Sequence, residues 1–147
     1  MKRFLALFLA ALMLFSCVFV FAACDKDDDK DDKKKEAVPN SDPEVAKEAL
    51  EEAGYEVHYT DVGAAGIKAA VVAVKLDEEA EKTDFISITY YEDKEAANTA
   101  WEEAQDSIDD AKASMAEMYG CKESEIVVKK SGTMIYVGTK NAVKAAK

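Results

Sequence analysis

The charged segment of residues 25–36 most constrains what this chain can fold into, because it contains no apolar side chain. Such a segment buries too little surface to offset the entropy that is lost when its backbone becomes ordered. We therefore predict a disordered tether over residues 24–40, which adds the preceding cysteine and the four following residues. A hydrophobic core must then be built from residues 41–147, which we interpret as one domain.

The first 23 residues have the layout of a secretory signal peptide. Lys2 and Arg3 precede an apolar run from Phe4 to Ala23, which is interrupted only by Ser16. A run of about twenty apolar residues is also long enough to remain as a transmembrane anchor. Cleavage is favoured because the run ends in small residues, a cysteine follows at once, and the charged segment begins directly after that cysteine.

The end of the apolar run, Phe21-Ala22-Ala23-Cys24, resembles the lipobox of bacterial lipoproteins. The resemblance implies that a diacylglyceryl group joins the sulfur of Cys24 and that the chain is cleaved just before it. Phe21 stands where the family usually has Leu, Val or Ile. An alternative site at Cys17 would leave the apolar residues 18–21 as an overhang on the mature chain, so Cys24 is the predicted lipidation site.

The lipobox also predicts where the protein resides. Two or more acyl chains hold a protein stably at a membrane, whereas a single chain holds it only reversibly. A lipidated Cys24 is therefore expected to keep the exported domain on the outer face of the cytoplasmic membrane, which is the periplasmic side in a cell with two membranes. The membrane is the predicted partner, and the sequence identifies no protein or envelope partner beyond it.

Hydrophobic patterns along residues 41–147 predict eight elements in the order α-β-β-β-α-β-β-α. A capping box that starts at Ser41 begins the first helix, and Gly54 ends it. One long helix of about 25 residues is predicted by apolar side chains at intervals of three and four; these are Ala97, Trp101, Ala104, Ile108, Ala111, Met115 and Met118. The fold class is therefore α+β, a two-layer sandwich in which an antiparallel sheet has helices on one face, ferredoxin-like in outline.

The sequence contains no recognisable catalytic, cofactor-binding or metal-binding constellation. His58 is the only histidine, and a zinc site needs further ligands near it. Cys121 is the only cysteine after Cys24, so the domain cannot form an internal disulfide. We predict a non-enzymatic binding or interaction domain without a cofactor. The alternative is an enzyme, or an accessory subunit of an envelope enzyme complex, which would bring two carboxylates together in a cleft.

Charge is distributed unevenly along the chain. Two of the 19 basic residues lie in the signal peptide, so the mature chain has 17 basic and 30 acidic residues. This acidity argues against nucleic-acid binding, because basic residues are needed to neutralise the phosphates. Residues 42–117 carry 6 lysines and 21 acidic residues, whereas residues 118–147 carry 6 lysines and 2 acidic residues. These last lysines either pair with the acidic helix or form a basic contact patch for anionic lipid headgroups or cell-wall polymers. They are Lys122, Lys129, Lys130, Lys140, Lys144 and Lys147.

Overall fold

The computed structural model of the protein describes residues 37–77 and 82–147. The predicted signal peptide, the lipobox and most of the predicted tether lie outside the described residues. Within these ranges the helices are α1 Pro43–Glu52, α2 Lys94–Gln105, α3 Ile108–Tyr119 and α4 Lys140–Ala145. The strands are β1 Glu56–Ala64, β2 Ile67–Asp77, β3 Lys82–Tyr91, β4 Ile126–Ser131 and β5 Met134–Thr139, and a single 3₁₀ turn, Glu123–Glu125, precedes β4.

The five strands form one antiparallel sheet in the order β1-β2-β3-β5-β4. The first three strands follow one another across the sheet. The β4–β5 hairpin turns at Gly132, whose positive φ of 60° suits a residue without a side chain, and it pairs with β3 through β5. The predicted α+β class and the antiparallel sheet are confirmed. The order of elements matches the prediction except that two helices, α2 and α3, stand where one was predicted.

The first helix begins one residue later than the capping box suggested. Asp42 is the N-cap, and its side chain accepts a hydrogen bond of 2.9 Å from the backbone N–H of Glu44. Pro43 occupies the first helical position, where its fixed φ and missing N–H cost nothing. Because the cap is the residue before that position, Asp42 takes the role that the sequence pattern gave to Ser41.

One face of the sheet is covered by α1 and α4 and holds the larger core cluster. Leu50 of α1 and Ile86 and Ile88 of β3 are fully buried there, and Tyr136 of β5 and Val143 of α4 are nearly so. On this face α1 packs on β1 and β2, whereas α4 packs on β3, β5 and β4. We call this side of the sheet the α1/α4 face.

The opposite side, which we call the α2/α3 face, is covered by the other two helices. Phe85 of β3 stacks on Tyr119 of α3 with 4.0 Å between the ring centroids, and Ile135 of β5 packs with Ala97 of α2. Helices therefore lie on both faces, which differs from the predicted two-layer sandwich. The physical reason is that β3 and β5 carry apolar side chains on both sides, so each side needs a cover.

The single long helix of the sequence prediction is divided into α2 and α3 at Asp106 and Ser107. The hydroxyl of Ser107 donates a hydrogen bond of 3.0 Å to the carbonyl oxygen of Ala104, and the Ser107 backbone N–H donates to the same oxygen. Such local bonds compete with the regular helical ladder. The apolar stripe continues across the break, but Trp101 is only half-buried rather than in the core.

Packing of the domain begins before the predicted boundary at residue 41. Ala37 packs against the core of the α1/α4 face, and Pro39 is buried. The backbone N–H of Asn40 donates to the carbonyl oxygen of Ala146 at 2.7 Å, and the hydroxyl of Tyr90 donates to the Asn40 carbonyl oxygen at 2.9 Å. Residues 37–40 are thus held beside the carboxyl end of α4.

Candidate functional site

A cleft of about 360 Å³ opens at the end of the sheet where β3 begins and β5 ends. Because β3 and β5 are antiparallel neighbours, the first residues of one strand meet the last residues of the other. The loop that leads into β4 closes a third side. The cleft is lined by Lys82, Thr83, Asp84, Cys121, Glu125, Thr139, Lys140 and Asn141.

Asp84 is held in this cleft by side chains from the β5–α4 junction. The hydroxyl of Thr139 donates to one carboxylate oxygen at 2.8 Å, and the side-chain amide of Asn141 donates to the other at 3.5 Å. Thr139 is nearly fully buried and also caps α4 by accepting a hydrogen bond from the backbone N–H of Ala142. The cap of the helix and the orientation of the carboxylate therefore depend on the same hydroxyl.

Gly138 allows the two strands to approach closely just before this junction. A Cβ atom at position 138 would lie 2.5 Å from the carbonyl oxygen of Phe85 and 2.8 Å from the Cα of Ile86. Both contacts involve backbone atoms, which cannot move aside without shifting β3. A glycine at this position thus brings Thr139 within reach of Asp84.

Glu125 is the second carboxylate of the cleft. One of its oxygens accepts a hydrogen bond of 2.8 Å from the backbone N–H of Lys122, and the other lies 4.0 Å from the Nζ of Lys82. The backbone hydrogen bond, followed by the charge of Lys82, lowers the pKa of Glu125. This group is therefore an ionised acceptor at neutral pH.

Cys121 supplies a thiol to the same cleft. Burial, followed by the negative charge of Glu125, raises the pKa of the Cys121 thiol. The thiolate is the reactive form of cysteine, and a raised pKa reduces its population at neutral pH. The surroundings of Cys121 thus disfavour the nucleophilic role that a cysteine in a cleft could otherwise take.

The arrangement offers hydrogen-bond donors and acceptors of both charge signs. Two lysine ammonium groups and two carboxylates lie around an opening large enough for a small molecule. Two carboxylates in one cleft is the feature that the enzyme alternative requires. The residues that line the cleft, however, include no large apolar side chain, whereas desolvation by apolar walls is what raises the pKa of a carboxyl group toward that of a general acid.

His58 lies away from the cleft. It is exposed on β1, where its Nε2 is 3.7 Å from a carboxylate oxygen of Glu56. Within residues 37–77 and 82–147, no group of three or more His, Cys, Asp or Glu side chains is placed to hold a metal ion.

The structure brings together only part of the predicted basic patch. Lys140, Lys144 and Lys147 are exposed at the spacing of one helical face, on and just after α4. Lys129 lies on the same side of the sheet, since its strand neighbour two residues earlier, Val127, packs into the α1/α4 core. We call these four residues the basic face.

The other two lysines of the predicted patch lie elsewhere. Lys130 points to the α2/α3 face, where its Nζ donates a hydrogen bond to the side-chain oxygen of Asn98 in α2. Lys122 precedes the 3₁₀ turn beside Glu125. Among the described residues, no ion pair within 4.0 Å joins Lys140, Lys144 or Lys147 to an acidic side chain. For these three lysines, the structure does not place the predicted pairing with the acidic helix.

Sequence reasoning did not identify the cleft. Asp84 and Thr139 are 55 positions apart, and no local pattern relates them. Thr139, a helix cap at the end of an apolar strand, was the one local signal in the sequence. It marks where β5 ends but does not show which strand lies beside β5. The pairing of β3 with β5 supplies the missing relation.

The part of the chain that the structure describes contains no helix long and apolar enough to cross a bilayer. Comparison of the chain with protein-family models, with curated proteins and with solved structures finds no match.

Proposed function

We propose that this chain is a lipid-anchored extracytoplasmic protein whose domain binds a small polar ligand in the cleft between β3 and the start of α4. The anchor part of the proposal is supported by Phe21-Ala22-Ala23-Cys24 at the end of an apolar run. The binding part is supported mainly by one observation: Asp84 is oriented by two donors from the β5–α4 junction at the wall of an open cleft.

The charges of the lining indicate the class of ligand. Lys82 and Lys140 can receive an anionic group, while Asp84 and Glu125 can receive a cationic group. Each carboxylate already accepts hydrogen bonds from the protein, which fixes its position before a ligand arrives. A small molecule with one acidic and one basic group, such as an amino acid or a dipeptide, matches this arrangement.

Titration followed by NMR tests the binding proposal. Alanyl-alanine is the zwitterionic probe, and acetate and ethylamine are probes of a single charge. We expect alanyl-alanine to shift the backbone amide resonances of Thr139 and Asn141 at lower concentration than either single-charge probe. The Asp84→Asn variant should weaken the response at least about tenfold, because a charge-assisted hydrogen bond is lost. Asp61→Asn, at an exposed position on β1, is the matched control and should leave it unchanged.

Two results would contradict the binding proposal. One is the absence of any shift at Thr139 and Asn141 up to high millimolar probe. The other is an equal response in the Asp84→Asn and Asp61→Asn variants, provided that near-ultraviolet circular dichroism shows both to be folded.

The enzyme alternative is favoured by a single observation, the presence of Asp84 and Glu125 in one cleft. The lowered pKa of Glu125 makes it unsuited to donate a proton at neutral pH, and the raised pKa of Cys121 makes it a weak nucleophile. If the zwitterionic probe is chemically converted during the titration, and the conversion is lost in Glu125→Gln, the protein is an enzyme and the binding proposal is wrong.

A further inference from the structure

We infer that the basic face, made of Lys129, Lys140, Lys144 and Lys147, is the surface that the domain presents to the anionic headgroups of the membrane to which it is anchored. The inference rests on the proposed lipid anchor at Cys24. It goes further by assigning an orientation and a contact surface to the domain.

The exposed lysines of the carboxyl end lie close together in the chain. Lys140 and Lys144 are four residues apart on α4, which places them on one side of the helix, and Lys147 follows the C-cap residue Ala146. Ala142, Val143 and Ala146, between them, are buried against the sheet, so the lysine side faces outward. Lys129 extends the surface over the edge strand β4, to which α4 is packed.

The chain leaves the domain toward Cys24 beside this surface. Asn40 is hydrogen-bonded at 2.7 Å to the carbonyl oxygen of Ala146, which directly precedes Lys147. From Ala37, where the described residues begin, thirteen backbone steps lead back to Cys24, and they span at most about 45 Å even when fully extended. An anchor at Cys24 would hold the basic face at a high effective concentration near the lipid.

The acidic helices lie across the sheet or away from β4, although α1 shares the α1/α4 face and contacts α4. The acidic side chains of α2 and α3 are on the opposite side of the sheet, and those of α1 lie over β1 and β2 rather than over β4. Asp42, the N-cap of α1, is two residues from Asn40 and so lies near the same exit of the chain. The proposed contact is therefore on the side of α4 that faces away from α1, toward β4. Screening limits the repulsion from the acidic elements to about 8–10 Å at ordinary salt.

The size of the expected effect follows from the number of lysines. Each lysine close to an anionic bilayer surface favours the contact by about fivefold. Loss of two lysines should therefore weaken the contact by about twenty-five-fold, enough to abolish a weak interaction that depends on tethering.

Lysine footprinting on the lipidated mature chain tests the inference. The protein is reconstituted into vesicles of phosphatidylcholine alone or of phosphatidylcholine mixed with phosphatidylglycerol, and a water-soluble acylating reagent is followed by peptide mass spectrometry. We expect Lys140, Lys144 and Lys147 to react at least about threefold more slowly on the mixed vesicles, and high salt should restore their rate. Lys68 and Lys94, exposed elsewhere on the domain, should react equally on both.

Two double variants separate the effect of the basic face from the effect of the net charge of the domain. In Lys144→Gln with Lys147→Gln, the protection of Lys140 on mixed vesicles should disappear. The control, Lys68→Gln with Lys94→Gln, makes the same change in charge and should keep that protection.

The outcomes separate a failure of the membrane contact from a failure of the proposed lipid anchor. A mature chain whose mass shows no acyl group would overturn the anchor and, with it, this inference. A lipidated chain with equal footprints on both vesicles, or with protection spread equally to Lys68 and Lys94, would overturn the inference alone. Protection by a soluble anionic cell-wall polymer but not by mixed vesicles would also overturn it, since the partner would then be the polymer.

Discussion

The two faces of the sheet are covered to different depths. On the α1/α4 face, one continuous cluster joins both helices to the strands, and large side chains such as Leu50, Ile86 and Ile88 are fully buried. On the α2/α3 face, two separate small clusters share the same strands. The helix residues buried there are alanines, Ala97 and Ala116, while the larger side chains remain partly exposed.

The deeper cover of the α1/α4 face bears on the stability of the domain and on its proposed sites. Buried apolar area is the main favourable term in folding, so the α1/α4 face should supply most of it. That face also holds residues 37–40 and, through α4, the basic face. Its helix α4 begins at the cleft and ends at the exit of the chain. The basic face and the α4 wall of the cleft are therefore attached to the better-packed side, whereas Cys121, on another wall of the cleft, packs against a cluster of the α2/α3 face.

The largest expected effect is on the α1/α4 face. Leu50→Ala would leave a cavity beside fully buried neighbours and should cost about 3–4 kcal/mol of unfolding free energy. Chemical denaturation with circular dichroism measures this loss. Val45→Ala in the same helix, at an exposed position, should change stability by less than about 0.5 kcal/mol. Equal losses in the two variants would mean that α1 does not pack as described.

A smaller effect is expected on the α2/α3 face. Trp101 is half-buried against Tyr91, Ala97 and Ile135, so Trp101→Ala should cost about 2 kcal/mol, less than the usual loss for a buried tryptophan. The same denaturation experiment gives the value. Because Trp101 is the only tryptophan, its fluorescence reports its surroundings directly. Fluorescence emission typical of a fully buried tryptophan, together with a larger loss of unfolding free energy than in Leu50→Ala, would reverse the comparison between the faces.

The smallest effect is a dependence on alkaline pH. Burial, followed by the charge of Asp84, raises the pKa of Tyr55 from 10.0 to about 12. The unfolded chain therefore releases this proton first, so the stabilising contribution is complete below pH 10 and is lost as the pH rises toward 12. Tyr55→Phe should reduce the fall in melting temperature over this interval. An unchanged slope would show that Tyr55 is not buried on the α1/α4 face.

Parts of the fold that depend on neighbouring residues could be predicted from the sequence. The strand of Phe85 to Tyr91 and the hairpin around Gly132 have strong local signals, and both are present. The break at Ser107 was missed because the apolar stripe continues through it, and the hydrogen bonds from Ser107 to the carbonyl oxygen of Ala104 leave no mark in the apolar pattern. The second covered face was signalled by adjacent apolar residues in β3, which need cover on both sides.

The candidate site depended on relations between distant residues. Asp84 and Thr139 meet only because β3 pairs with β5, and the sequence does not specify that pairing. The lysines of α4 were identified from composition alone. Lys130 does not belong with them, because side chains alternate along β4 and Lys129 and Lys130 therefore lie on opposite faces of the sheet.

The proposed lipid anchor is tested by the mass of the amino-terminal peptide of the mature protein, purified from the membrane fraction of the bacterium that expresses it. We expect a chain that begins at Cys24 and carries at least two acyl chains, and we expect Cys24→Ala to remain unlipidated and uncleaved at this site. A membrane-bound wild-type chain that retains residues 1–23 without acyl groups would rule out the lipid anchor, because the apolar run would then be a transmembrane anchor.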